Sequence, residues 1–313
     1  MIRFADALLA RTLVSVGSLE ALWTASHNPC MKIRPIVRLA QSQPTLEGAG
    51  VHLRRAFGFG DTSETDPFLL LDDFRNDDPA RYRAGFPWHP HRGMETITYM
   101  LEGAVEHKDS LGNSGALRAG DVQWMTAGRG IIHQEMPKGD AQGRMYGFQL
   151  WANLPAALKL TAPRYQEFKA DAIPVVEEGG ARVRVLCGSY LDQVGPVEGI
   201  AADPVYLDVA LPAKAGRSFA VAQGRSAFAY VFDGAGTFGE ASSAGAAADH
   251  TLAVFGDGDE VLAHAGENGM RFLLVSGVPI REPIAWRGPV VMNTEDELRQ
   301  AFRQLDAGTF LDE

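Results

Sequence analysis

From Met31 onward the chain is written in short apolar runs divided by glycine, proline, aspartate and asparagine. The runs PFLLLDDF (67–74), ETITYMLEG (95–103), DVQWMTAG (121–128) and RMYGFQLWANL (144–154) have the length and residue preferences of strands. Polar residues alternate with apolar ones along Thr96-Ile97-Thr98-Tyr99-Met100-Leu101, which predicts a strand with one face in a core. SLGNSG (110–115) and RAGD (118–121) read as turns, and 155–175, richer in lysine, alanine and proline, reads as a connection. A second series follows in RVRVLCG (182–188), PVYLDVALP (204–212), FAYVFDGAGTFG (228–239), HTLAVFGDGDEVLAHA (250–265) and MRFLLVSGVPI (270–280). ITYMLEG (97–103) is echoed by FAYVFDG (228–234), and RAGDVQWMTAG (118–128) by VFGDGDEVLAHAG (254–266). A weak repeat of short strands predicts an all-β chain built from two tandem antiparallel β-barrels. TEDELRQAF (294–302) carries threonine at a capping position with glutamate three residues on, which predicts a short C-terminal helix.

The 313 residues suffice for two domains, expected at 31–160 and 161–313. Residues 1–30 are expected to lie outside the fold, because strand-like text begins only at Met31, which is itself an alternative start of translation. The leader has two early arginines and some amphipathic character, but no clean apolar core followed by a small-residue cleavage site. A net charge of −10 argues against direct nucleic-acid binding, which needs a basic face. The two cysteines, Cys30 and Cys187, have no CxxC partner, so a thiolate zinc site is not expected and Cys187 reads as a small buried hydrophobe. So few cysteines fit a reducing, cytoplasmic setting, and no apolar run reaches the length of a membrane span.

Chemistry concentrates in two short motifs, His89-Pro90-His91 and His133-Gln134-Glu135. On a strand, residues i and i+2 share a face, so each motif aims two metal-capable groups into one space. The 42 residues from His91 to His133 leave room for strands to fold back and bring the pairs together. Either motif alone is equally two polar residues on one strand face; both together point to a metal site of three imidazoles and one carboxylate. Such a set suits iron, manganese, nickel, copper or zinc rather than calcium or magnesium. Glu95, four residues after His91, competes with Glu135 for the carboxylate position. Glu106-His107 reads as a strand exit with satisfied polar groups, and His250 and His264 as structural, so no metal is expected in the second half. Trp88, Trp124 and Trp151 read as core or pocket wall, and FGDGDE (255–260) as a turn, since it lacks the rest of a calcium loop.

HPHRGMETITYMLEG, EHKDSLGNSG, RAGDVQWMTAGRGIIHQEMP, and the later REP (281–283) and GPVVMNT (288–294) resemble the pirin family. The resemblance runs from about Met31 to the C-terminus, and the chain departs from it in the leader and in ASSAGAAA (241–248). It implies the cupin superfold in duplicate, a bicupin with the C-terminal region packed back near the first barrel. It also implies one metal, usually iron (Fe2+), in the N-terminal barrel, held by His89, His91, His133 and Glu135. Two functions follow from the resemblance. One is a quercetin 2,3-dioxygenase, opening a flavonol ring with O2 and releasing carbon monoxide, with Glu135 as proton acceptor and Phe86, Trp88, Met125 and Ile132 around an aromatic ligand. The other is a metal- or redox-sensing protein without turnover, acting on a protein partner such as a transcription factor or metabolic enzyme.

Overall fold

The computed structural model of the protein describes residues 31–240 and 245–312. The expectation for residues 1–30, Cys30 included, therefore lies outside the described residues, as does part of the 241–248 loop.

Among the described residues, twelve strands precede residue 170: β1 (Ile36–Gln41), β2 (Gln43–Glu47), β3 (Val51–Phe57), β4 (Phe68–Asp73), β5 (Phe86–His91), β6 (Met94–Glu102), β7 (Ala104–Asp109), β8 (Ser114–Arg118), β9 (Val122–Thr126), β10 (Ile131–Lys138), β11 (Tyr146–Asn153) and β12 (Arg164–Phe168). They form a seven-stranded sheet in the order β12-β9-β6-β11-β4-β3-β2 and a four-stranded sheet in the order β5-β10-β7-β8. Eight strands of the second series and β1 form a nine-stranded sheet, in which β1 takes an edge by pairing antiparallel with Thr251–Phe255. The first strand among the described residues thus belongs to the second sheet, while β12 stays with the first. Two cupin domains and a nearly all-β chain agree with the expected fold class. The expected barrels are open sheets, however: among the described residues the pairing does not close around either domain. Each sheet ends in edge strands, and packing of sheet on sheet, rather than closure, covers the apolar faces.

Alternation along the strands decides which side chains meet. On β6, Ile97 and Tyr99 pack with Trp124 and Phe148 against Phe228, Tyr230 and Leu273 of the second sheet. This is the core between the domains, and each large side chain buried there contributes about 1.5–3 kcal/mol. The even-numbered residues of β6 face the other way, where Met100 packs with Leu53, Phe74 and Val105. Cys187 is buried in the interdomain core and its thiol is pushed up to about 12 by burial, as a small hydrophobe should be. Polar pairs tie the halves together. Tyr99 donates to Asp208 at 2.6 Å, and Arg271 holds the same carboxylate through two bonds of 2.9 and 2.6 Å.

The last thirty residues return to the first domain. A hairpin pairs Ala285–Arg287 with Val290–Met292, and Arg92, next to His91, bridges to Val290. Arg92 then bonds Gln304 and the Phe310 carbonyl, each at 2.5 Å. Gly93 is glycine for a visible reason: its φ is +74°, and a Cβ there would stand 1.9 Å from the Val291 carbonyl oxygen. The predicted helix forms at Glu295–Asp306, one turn longer than its sequence signature, behind a complete capping box between Thr294 and Glu297.

Candidate metal centre

β5 and β10 run antiparallel, with His133 directly opposite His89 and Ile131 opposite His91. The pairing slips between His133 and Glu135, so that Glu135 meets Phe86. Alternation sends His89, His91 and His133 inward and leaves Trp88 and Pro90 on the outer face. The three imidazoles converge: ring centroids stand 4.9 Å (His89–His91), 4.3 Å (His89–His133) and 5.0 Å (His91–His133) apart. One ring nitrogen from each lies within 4.8 Å of the others.

The state of these rings suits a metal. Burial, with neighbouring imidazoles adding to it, pushes His91 and His133 well below the usual histidine range, and burial lowers His89 as well. All three are therefore neutral and carry lone pairs at neutral pH. His89 donates from Nδ1 to the Pro87 carbonyl at 2.9 Å, which puts its lone pair on Nε2, the nitrogen facing His91. His133 is fully buried, and neither of its ring nitrogens has a hydrogen-bond partner among the described residues. Buried imidazoles with unmet lone pairs aimed at one point are what a divalent transition metal satisfies.

Glu135 lies outside this close group. It is buried in the same cavity, accepts a hydrogen bond from Thr98 at 3.1 Å, and burial pushes its carboxyl up to about 7. Glu95, the competing carboxylate, sits on the opposite face of β6 from Thr98. It is bonded to Thr126 at 2.7 Å and directed toward the interdomain side. Strand parity thus places Glu135, and not Glu95, on the cavity that His89 and His91 line. His107 departs from its reading as a strand exit. It is in mid-strand on β7 opposite Glu135, buried, 5.2 Å from the His133 ring centroid, with Nε2 3.4 Å from Asp109. In the second half, His250, in the turn before Thr251–Phe255, stands 3.3 Å from Asp73 and 3.0 Å from Arg75, a structural setting.

His89 and His91 line one side of a cavity of about 640 Å³, and the His133 ring packs against both of theirs. Of the residues expected around an aromatic ligand, Phe86 lines it, but Trp88, Met125 and Ile132 do not. Trp88 is 54% exposed because β5 turns it outward, Met125 packs with Ala127 and Ile131, and Ile132 packs against the C-terminal helix region. The apolar wall comes instead from Leu53, Leu70, Phe74 and Trp151, with Trp286 contributed by the C-terminal hairpin. Trp151 stacks edge-on against His91 at 5.1 Å, and Trp286 bridges between Trp151 and Phe59.

Residues 50–152 match the Pirin family and residues 206–311 match the Pirin C-terminal cupin domain. The chain belongs to the pirin family. A pirin-like protein of Caulobacter vibrioides is 47% identical over 283 residues, covering 90% of this chain and all of that one. A quercetin 2,3-dioxygenase from Acinetobacter baumannii, solved by crystallography, superposes with a TM-score of 0.81 at 32% identity, covering 89% of this chain and 98% of that one. The pirin YhhW of Escherichia coli, solved in complex with nickel(II), shares the fold at a TM-score of 0.60 and 23% identity, over 77% of this chain and 98% of its own. The three-histidine group thus sits in the first of the two matched pirin segments. Among the described residues no helix is long and apolar enough to cross a membrane.

Proposed function

We propose that this pirin is a flavonol 2,3-dioxygenase of the quercetinase type. The observation that carries it is a group of three converging neutral imidazoles, two of which (His89 and His91) line an apolar-walled cavity large enough for a small aromatic molecule, with a buried carboxyl in the same cavity. His89, His91 and His133, with Glu135 as the fourth ligand, would hold one Fe2+-type ion, and the stretch 31–160 is the half that carries it. Bound there, the ion supplies Lewis acidity and one-electron exchange with O2. The likeness to the Acinetobacter dioxygenase supports the substrate class.

The chain's own residues have separate tasks. Glu135, raised by burial toward neutral pH, accepts the proton of the flavonol 3-hydroxyl. The Thr98 hydroxyl, with one proton to give, lies 3.1 Å from Glu135 Oε1 and 2.7 Å from Gln149 Oε1 and so fixes the position of the carboxyl. The apolar wall keeps bulk water from the reacting ring. Purification with elemental analysis, followed by oxygen uptake and carbon monoxide release with quercetin, tests the reading. One metal per chain and stoichiometric consumption of O2 and quercetin are expected. A metal-loaded protein that turns over no flavonol overturns catalysis and leaves a metal-sensing protein with a macromolecular partner.

A further inference from the structure

Four polar residues cross the floor of the cavity in a straight row. Thr98 on β6 pairs with Gln149 on β11, Gln149 with Asp72 on β4, and Asp72 with Arg55 on β3. Directly paired residues project to one face, and all four line the cavity. The row begins at the candidate metal centre, since Thr98 bonds Glu135, and ends three strands away. At about 4.8 Å per strand, Asp72 lies roughly 10 Å from Thr98. On either side of the row the same strands present Leu53, Leu70, Phe74 and Trp151, so the polar strip is narrow and its borders are apolar.

The far end of the strip is wired for a neutral group. Arg55 donates from Nε and Nη2 to Asp72 at 2.8 and 2.7 Å, and Nη2 also lies 2.8 Å from Glu47. Two carboxylates around one guanidinium leave no net positive charge to attract a carboxylate or phosphate ligand. Hydrogen-bonding capacity remains, however. Arg55 Nη1 and Gln149 Nε2 donate to no described residue, and each Asp72 oxygen has lone pairs beyond the one given to Arg55. A hydroxyl, which both donates and accepts, matches that arrangement where an anion or an ammonium does not.

We infer that Arg55, Asp72 and Gln149 form a hydroxyl-binding subsite that receives a phenolic hydroxyl at the end of a flat aromatic ligand remote from the histidines. The subsite makes the cavity selective for polyhydroxylated aromatics over bare ones, and it rests on the flavonol reading of the same cavity. A phenol bonded to charged partners binds about tenfold to a hundredfold tighter than the ligand lacking it.

The test is calorimetric titration of the metal-loaded protein under anaerobic conditions, so that binding is read without turnover. The ligands are quercetin and 3-hydroxyflavone, which keeps the 3-hydroxyl and ketone but no other ring hydroxyl. Wild type is expected to bind quercetin at least tenfold tighter, and Asp72→Asn to shrink that ratio about tenfold. If Asp72→Asn does not fold, Arg55→Lys, which keeps the charge and loses the fork, is expected to shrink it as well. Equal binding of the two ligands by wild type, binding of neither, or an unchanged ratio in a folded variant overturns the subsite. Quercetin bound with the expected preference but never consumed under O2 supports the subsite and removes the dioxygenase reading alone.

Discussion

Replacing His133 by leucine should reverse sign with metal. His133 is fully buried and both ring nitrogens lack partners among the described residues. A neutral imidazole carries one donor and one acceptor, and each left buried and unmet costs about 1–3 kcal/mol. Leucine of similar bulk removes both groups, against a packing mismatch of up to about 1.5 kcal/mol. In chelator, His133→Leu is therefore expected to be as stable as wild type or more stable by up to about 3 kcal/mol, an unusual direction for a core substitution. With metal at a hundredfold excess over its dissociation constant, wild type gains about 2.7 kcal/mol, and the variant, with two imidazoles left, gains little. Urea unfolding followed by tryptophan fluorescence, in EDTA and in nickel(II), reads both arms through the midpoint, with a constant m-value as the check on two-state behaviour. Two results would refute the reasoning. One is a loss of more than about 1 kcal/mol by the variant in EDTA, which would mean that His133 is already satisfied without metal. The other is equal stabilisation of both proteins by nickel.

Three further outcomes are expected. Glu135→Gln should lower turnover of quercetin roughly 10²–10⁴-fold with metal content near normal by elemental analysis, and unchanged turnover would remove Glu135 as proton acceptor. Lys159 is buried, donates to Gly93 O at 2.8 Å and Asn153 at 2.5 Å, and burial lowers its ammonium from 10.5 to about 7. Between those values the unfolded chain binds more protons than the native one, so this residue's cost is full below about pH 7 and fades as pH rises. Wild type should accordingly gain on Lys159→Met by up to roughly 1.4 kcal/mol per pH unit between pH 7 and 10 in chemical denaturation, and a flat difference would refute it. Tyr99→Phe removes one of the bonds to the buried Asp208 between the domains and should cost about 1.5–3 kcal/mol; a loss under 0.5 kcal/mol would show that Arg271 alone satisfies that carboxylate.

Local features of this chain were legible because they depend on near neighbours. The capping box at Thr294 and Glu297 closes within one turn, and the strand runs show their alternation directly. The spacing of His89 and His91, and the lone position of His133 two residues before Glu135, placed metal-capable groups on common strand faces. What the sequence left open was which face of each strand turns inward and which strands meet. Trp88 and Ile132 look like pocket wall in the text, yet they alternate with the histidines and must point away once those point in. Glu95 competes with Glu135 in the text, and only the fold shows that β6 turns Glu95 toward the interdomain side and Thr98, beside Glu135, toward the cavity. Arg55, Asp72, Gln149 and Thr98 are scattered over four strands, and only the pairing order β6-β11-β4-β3 lines them up. Trp286 lies 195 residues beyond His91 in sequence (286 − 91), and it reaches the cavity because the C-terminal hairpin docks on Arg92. Parity along one strand is a property of the chain; the register between strands is set by the packing of whole sheets, which no local pattern records.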